Sequence, residues 1–309
     1  MSRRPLSGAL LLALMLLPAT LRADDGPRIV DVVARGLTFV APEEVPSGWL
    51  TFRLRNESGM VHFALIQRLP AGIGVSEQQA QVAPVFQRGM DLINQGKPDA
   101  AMEAFGELPA WFGQVVLLGG TGLVGAHQTA ESTVYLEPGN YLLECYIKTN
   151  GIFHSYNPDP DVTAMVHGFS VSEEVSGAPE PAADLQMTIS AAGGIELDGQ
   201  PAPGRQTIAV HFRDQKAHEN FQGHDVHLAR LEDDTDLARL EAWMDWSQPD
   251  GFQTPAPVMF LGGINEMPAG QTGYLHVDLE PGRYAWVAEV PGARAKGMLQ
   301  VFTVAATPR

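Results

Sequence analysis

Leu136-Glu137-Pro138-Gly139-Asn140-Tyr141 recurs 143 positions later as Leu279-Glu280-Pro281-Gly282-Arg283-Tyr284. The surroundings repeat with it. Leu118-Gly119-Gly120 matches Leu261-Gly262-Gly263, and Val61-His62 matches Val226-His227. Met165 ahead of Gly168-Phe169-Ser170-Val171 matches Met298 ahead of Val301-Phe302-Thr303-Val304. A period this long is the size of a whole domain, so the chain reads as two copies of one unit. The first copy spans 27–174 and the second 184–307, and residues 175–183 have linker composition.

Within each copy the local pattern is that of strands. Trp49 to Arg55, Thr133 to Leu136, Tyr141 to Ile147, Thr207 to Phe212 and Tyr274 to Leu279 alternate apolar and polar side chains, as half-buried strands do. Each Glu-Pro-Gly is a turn between two such runs: Pro pre-sets φ and Gly accepts the conformation that other residues resist. Many short strands with frequent turns predict an all-β chain built of antiparallel sandwiches or barrels. Each copy also carries a helical insertion after its His-bearing strand, Glu77 to Phe105 with a break at Gly96-Lys97-Pro98, and Asp233 to Trp246. Val85, Met90, Ile93, Ala101 and Phe105 would form the stripe by which the first insertion packs on the sandwich.

Residues 1–23 read as an export signal: basic Arg3 and Arg4, the apolar run Ala9 to Leu17, then Pro18 to Ala23. The paired arginines are compatible with twin-arginine as well as ordinary export, and the expected location is the periplasm or the exterior. The run is too short to span a bilayer, and no other stretch reaches the ~18 apolar residues a spanning helix needs. Removing Arg3, Arg4 and Arg22 deepens the formal charge from −16 to −19. A chain this acidic excludes nucleic acid as a main partner, because phosphate binding draws on clustered Lys and Arg. The single cysteine, Cys145, excludes an intramolecular disulfide and a zinc site of paired Cys-x-x-Cys type.

Cys145 follows Tyr141-Leu142-Leu143-Glu144, and the stretch after it holds His154, Met165 and His167 before the strand Phe169-Ser170-Val171. His62 lies far upstream, behind Asn56-Glu57-Ser58-Gly59-Met60-Val61. One His early, then Cys, His and Met late, resembles the cupredoxins, the blue-copper domain family. The resemblance implies two tandem cupredoxin-like Greek-key β-sandwich domains, with the metal site in the first only. It implies one copper ion with His62, Cys145 and His154 as equatorial ligands and Met165 as the axial one. A thiolate and two imidazoles suit copper in both oxidation states, and a long thioether contact tunes the potential. Nine positions separate Cys145 from His154 and eleven separate His154 from Met165. Both intervals exceed those of familiar blue-copper loops, so Ser155 to Asp161 would have to bulge away. His167 is the rival of His154.

The second copy places Ala288 where Cys145 falls, and its shorter Pro291-Gly292-Ala293-Arg294-Ala295-Lys296-Gly297-Met298 has no histidine, so the same site is lost there. It nevertheless keeps His227 and Met298, and the alternative for His62 and Met165 is therefore purely structural packing. His211, His218 and His224 read as surface or core residues, and His276 as solvent-facing. Gly-x-Ser-x-Gly and His-Glu-x-x-His are absent, as are the paired His-x-His motifs of a trinuclear copper cluster. Gly119 to Gly125 lacks the Gly-Lys-Ser/Thr ending of a phosphate loop and reads as a glycine-rich strand connection. The expectation is an exported copper-binding protein, not an enzyme, that serves electron transfer or copper handling and meets a redox or copper-delivery protein. The alternative is a metal-free periplasmic β-sandwich binding or assembly module with Cys145 buried as a small apolar residue. Oligomeric state is left open by the sequence.

Overall fold

The computed structural model describes residues 26–159 and 164–306. The expected export signal lies outside them, as does part of the segment expected to bulge. The first copy contains β1 (Arg28–Arg35), β2 (Thr38–Val40), β3 (Glu44–Asn56) and β4 (His62–Leu69). Helices α1 (Val75–Gln81), α2 (Ala83–Asn94) and α3 (Pro98–Phe105) follow, with a 3-10 turn at Ala110–Gln114. Then come β5 (Val116–Val124), β6 (Thr129–Leu136), β7 (Gly139–Glu144), the short pair β8 (Lys148–Thr149) and β9 (Ile152–Phe153), and β10 (Val166–Val175). The second copy contains β11 (Leu185–Ser190), β12 (Gly194–Asp198), β13 (Gly204–Phe212), β14 (Val226–Leu231), α4 (Leu237–Trp243), β15 (Met259–Ile264), β16 (Thr272–Leu279), β17 (Gly282–Val287) and β18 (Leu299–Val304).

The strands form two layers, and each layer runs through both copies. One has the order β2-β1-β3-β6-β16-β13-β11-β12 and the other β10-β7-β4-β5-β15-β14-β17-β18. Read from either end, the two halves of a layer have the same order. The seams join equivalent edges. Ser132 faces Leu275 in β6·β16, flanked by Thr133 with Tyr274 and Glu131 with His276. Thr121 faces Ile264 in β5·β15. Both facing pairs are separated by the repeat offset of 143, so each seam sets a residue against its own counterpart, as a two-fold contact between identical units does. Thr121 and Ser132 are fully buried and meet through their hydroxyls at 3.3 Å.

Alternation along the strands sends Leu50, Phe52, Leu54, Val134 and Leu136 inward at 0–1% exposure. Each such side chain is worth roughly 1.5–3 kcal/mol of burial. Gly120 and its counterpart Gly263 belong to β5 and β15, where a Cβ would sit 2.1 Å from the Ala64 carbonyl oxygen and 2.2 Å from that of Val226. The glycine-rich stretch is therefore a strand pressed against its neighbour. The Glu-Pro-Gly turns are built alike: Tyr141 Oη donates to the Glu137 carbonyl at 2.7 Å and Tyr284 Oη to that of Glu280 at 2.8 Å.

The first insertion forms three helices rather than two, because Pro84 opens α2 after Gln81 has closed α1. Met90, Ala101 and Phe105 pack into the core as expected, Ile93 packs against it, and Val85 is half-buried. The second insertion contains α4, whose first amides are capped by the Asp236 carboxylate. No helix among the described residues is long and apolar enough to cross a membrane.

Candidate metal centre

β3 ends at Asn56, whose side chain builds the loop that presents the first histidine. Its amide Nδ2 donates to the carbonyls of Met60, Val124 and Gly125 at 2.6–3.0 Å, and its Oδ1 accepts from the Ser58 amide and hydroxyl. With its proton committed to Asn56, the Ser58 hydroxyl turns a lone pair to His62 Nε2 at 2.8 Å. The ring therefore keeps its proton on Nε2 and leaves Nδ1 open. His62 is the first residue of β4 and is fully buried.

Cys145 lies one residue beyond the end of β7 rather than within a strand. The register of β4 with β7 runs out at Leu65 with Glu144, next to a bulge in β4, and the chain then turns toward Met165. The Cys145 amide donates to the Met165 carbonyl at 3.1 Å, and the Met165 amide donates to the His154 carbonyl at 2.7 Å. Met165 thus ties together the backbones that carry the sulfur and the second imidazole, and its side chain is fully buried. The second copy repeats the first of these bonds, from Ala288 to Met298 at 2.9 Å.

Cys145 Sγ is 3.6 Å from His62 Nδ1 and 3.9 Å from His154 Nδ1. His154 Nε2 meets Thr149 Oγ1 at 2.9 Å, and Thr149 in turn meets Thr254 Oγ1 of the second copy at 2.9 Å. Both rings therefore turn the same nitrogen to the sulfur and fasten the other to a hydroxyl. Burial pushes His62 down to about 4, against the Gly36 carbonyl, which opposes the shift. Burial, with His62 as neighbour, pushes His154 down to about 3. Both rings are neutral at ordinary pH and ready to donate. Burial pushes the Cys145 thiol up to about 12, so a cation would have to displace its proton.

The three donors fit a mononuclear copper ion. With metal–sulfur and metal–nitrogen bonds of about 2.3 and 2.0 Å, sulfur and nitrogen around one ion stand roughly 3.5–3.7 Å apart, close to the spacing found. His62, Cys145 and His154 are at most 2% exposed, so water is excluded from the group.

His167 is elsewhere, with Nε2 3.2 Å from the Pro42 carbonyl oxygen. In the second copy, His227 Nδ1 accepts the Leu123 amide at 3.0 Å and Nε2 faces Asp225 Oδ2 at 2.7 Å. Asp225, His227 and Glu289 cluster closely enough to suggest a metal, but both nitrogens of the ring are engaged by the protein. His276 corrects the expectation of a solvent-facing residue: it sits at the seam, where Nε2 and Nδ1 meet Thr133 and Thr207 at 2.8 and 3.0 Å. Ser58, Thr149 and Thr254 were not foreseen. Ser58 had a weak signal in its place just before His62, whereas Thr254 had none, since only the fold brings it near.

No family model matches the chain, and no curated protein matches it. Among solved structures it is similar to auracyanin A, a "blue" copper protein from the bacterium Chloroflexus aurantiacus. That match has 19% identity over 48% of this chain and 100% of the other, with a TM-score of 0.29. It is also similar to a multicopper oxidase, with 13% identity over 90% of this chain and 88% of the other and a TM-score of 0.20. A copper-containing nitrite reductase from Thermus scotoductus SA-01 has 12% identity over 89% of this chain and 61% of the other, with a TM-score of 0.21. The last two are enzymes by their descriptions, and the expectation that this chain is not an enzyme is corrected on that finding.

Proposed function

We propose that this chain, two cupredoxin-like β-sandwiches in tandem, binds one copper ion in its first copy and serves electron transfer or copper handling after export. His62, Cys145 and His154 would hold the ion, with Met165 as a fourth, weaker donor. The observation that carries the reading is the pair of imidazole Nδ1 atoms facing one sulfur at 3.6 and 3.9 Å. Copper bound by a thiolate and two imidazoles cycles between its two oxidation states with little rearrangement.

The rest is done by the chain itself. Ser58 holds the His62 ring proton at Nε2, and a Thr149 hydroxyl that accepts from His154 Nε2 would do the same there, directing both Nδ1 lone pairs at the site. The backbone bonds of Met165 fix Cys145 relative to His154 before any metal arrives. Donors placed in advance need little movement when the charge on an ion changes. Residues 1–23, with Arg3, Arg4 and the run Ala9 to Leu17, support export. A redox or copper-delivery protein is the partner this reading calls for.

Mature protein loaded with Cu(II) is expected to show an intense thiolate-to-copper absorption in the visible, and Cys145→Ser to abolish it. A colourless protein that also binds no Cu(I) would end the reading. Met165→Leu is expected to keep the colour and raise the reduction potential. An unchanged potential would remove Met165 from the set.

A further inference from the structure

Glu144 and Tyr146, the residues on either side of Cys145, line a cavity of about 90 Å³ between the helical insertion, β4 and β5, and the second copy. Its walls include Leu65, Phe86, Phe112 and Trp246, and its lining is mostly apolar. One end is polar. There the Glu144 carboxyl receives the Gln67 and Gln78 side-chain amides, the latter at 3.1 Å, with Ser155 alongside. Gln78 is 2% exposed, and its Oε1 has no partner. Turning the amide over does not cure this, because Nε2 would then be the atom left without a partner. A buried polar atom without a partner is destabilising, so an occupant that supplies one gains from entering.

The dimensions and the lining narrow the occupant. An apolar cavity of ~150 Å³ takes benzene, so this one suits a body somewhat smaller than a six-membered ring. Apolar walls disfavour a charged guest. A hydroxyl can donate to Oε1 or accept from Nε2, so it satisfies Gln78 in either orientation. We propose that this cavity is a binding site for a small neutral alcohol of about three carbons, its hydrocarbon body against Trp246 and Phe86 and its hydroxyl on Gln78. The site is independent of the copper reading.

2-Propanol is the probe, and 2-methylpropane, in which a methyl group replaces the hydroxyl, is the control. Both are titrated into the full mature chain and followed by the fluorescence of buried Trp246 and by thermal unfolding. Wild type is expected to bind 2-propanol at millimolar concentration or better. Gln78→Leu is expected to shift the ratio of the two affinities about tenfold toward the hydrocarbon, the worth of one hydrogen bond. Ala83→Leu, which fills the cavity from α2, is expected to lose both ligands while retaining a cooperative unfolding transition. Three results would overturn the proposal: no binding to wild type, equal binding to wild type and Ala83→Leu, or a ratio that Gln78→Leu leaves unchanged because an ordered water already serves the amide.

Discussion

Ser58 Oγ lies 2.8 Å from His62 Nε2, on the side of the ring away from Cys145. The hydroxyl touches no prospective ligand atom, yet it decides which nitrogen of the ring carries the proton. Ser58→Ala is expected to weaken copper binding by about 10–100-fold, the usual effect of losing such a support. Thr149→Val should act likewise on His154. Competition against a Cu(I) chelator measures both, and affinities within twofold of wild type would show that the rings hold their orientation without help.

Copper affinity is expected to rise with pH. Both imidazoles are neutral above about pH 4, so across the ordinary range only the thiol proton, held up to about 12, must leave. One proton released per ion gives about a tenfold gain in affinity per pH unit between pH 6.5 and 9. Chelator competition at three pH values tests the slope, and a flat profile would mean that the thiol is not a ligand.

The metal-free protein should respond to pH in the opposite sense at the two extremes. His62 and His154 titrate near 4 and 3 when folded, against 6.5 when unfolded. Their contribution is therefore present above pH 6.5 and lost as pH falls through those folded values, roughly 3 kcal/mol for His62 and 5 kcal/mol for His154. Cys145 titrates near 12 when folded and 9.0 when unfolded, so its contribution is present below pH 9 and lost as pH rises toward 12. Urea midpoints at pH 5, 7.5 and 10 should be highest at the middle value.

Residues 26–183 expressed alone should self-associate. Removing the second copy uncovers the edges of β5 and β6, and each edge is already in register to pair with its own counterpart. Light scattering should give twice the mass of the fragment. A stable monomer would show that the seam contributes little to holding the two copies together.

Gly120→Ala should be among the most damaging small substitutions in the chain. Gly120 has φ +94°, and the added methyl would meet the Ala64 carbonyl oxygen at 2.1 Å. Left-handed strain and overpacking together amount to about 3–5 kcal/mol. Gly36→Ala provides the comparison, since φ is +56° there but nothing lies within 4 Å, and about 1 kcal/mol is expected. Chemical denaturation of the two variants separates clash from backbone strain.

Much of this fold was legible because it is locally encoded. Alternation from Trp49 to Arg55 marked β3, and the Glu-Pro-Gly turns marked the hairpins that lead to Tyr141 and Tyr284. The chain order of His62, Cys145 and His154 anticipated their convergence, since strand order carries it. What escaped depends on contacts between distant residues. No local pattern says that Ser132 faces Leu275, that Thr254 reaches Thr149, or that the Leu123 amide caps His227. His276 looked solitary in sequence because its partners, Thr133 and Thr207, lie 143 and 69 positions away.

A seam that sets each edge against its own counterpart is the contact two identical chains would make, with one difference that follows from the linker. In a pair of separate identical chains every substitution appears twice, so neither partner can specialise. In one continuous chain it appears once. One copy can keep the thiol of Cys145 while Ala288 takes its place in the other. The copy relieved of that duty is free to lend Thr254 to its neighbour's centre and Trp246 to its neighbour's cavity. Fusion has turned symmetry into a division of labour.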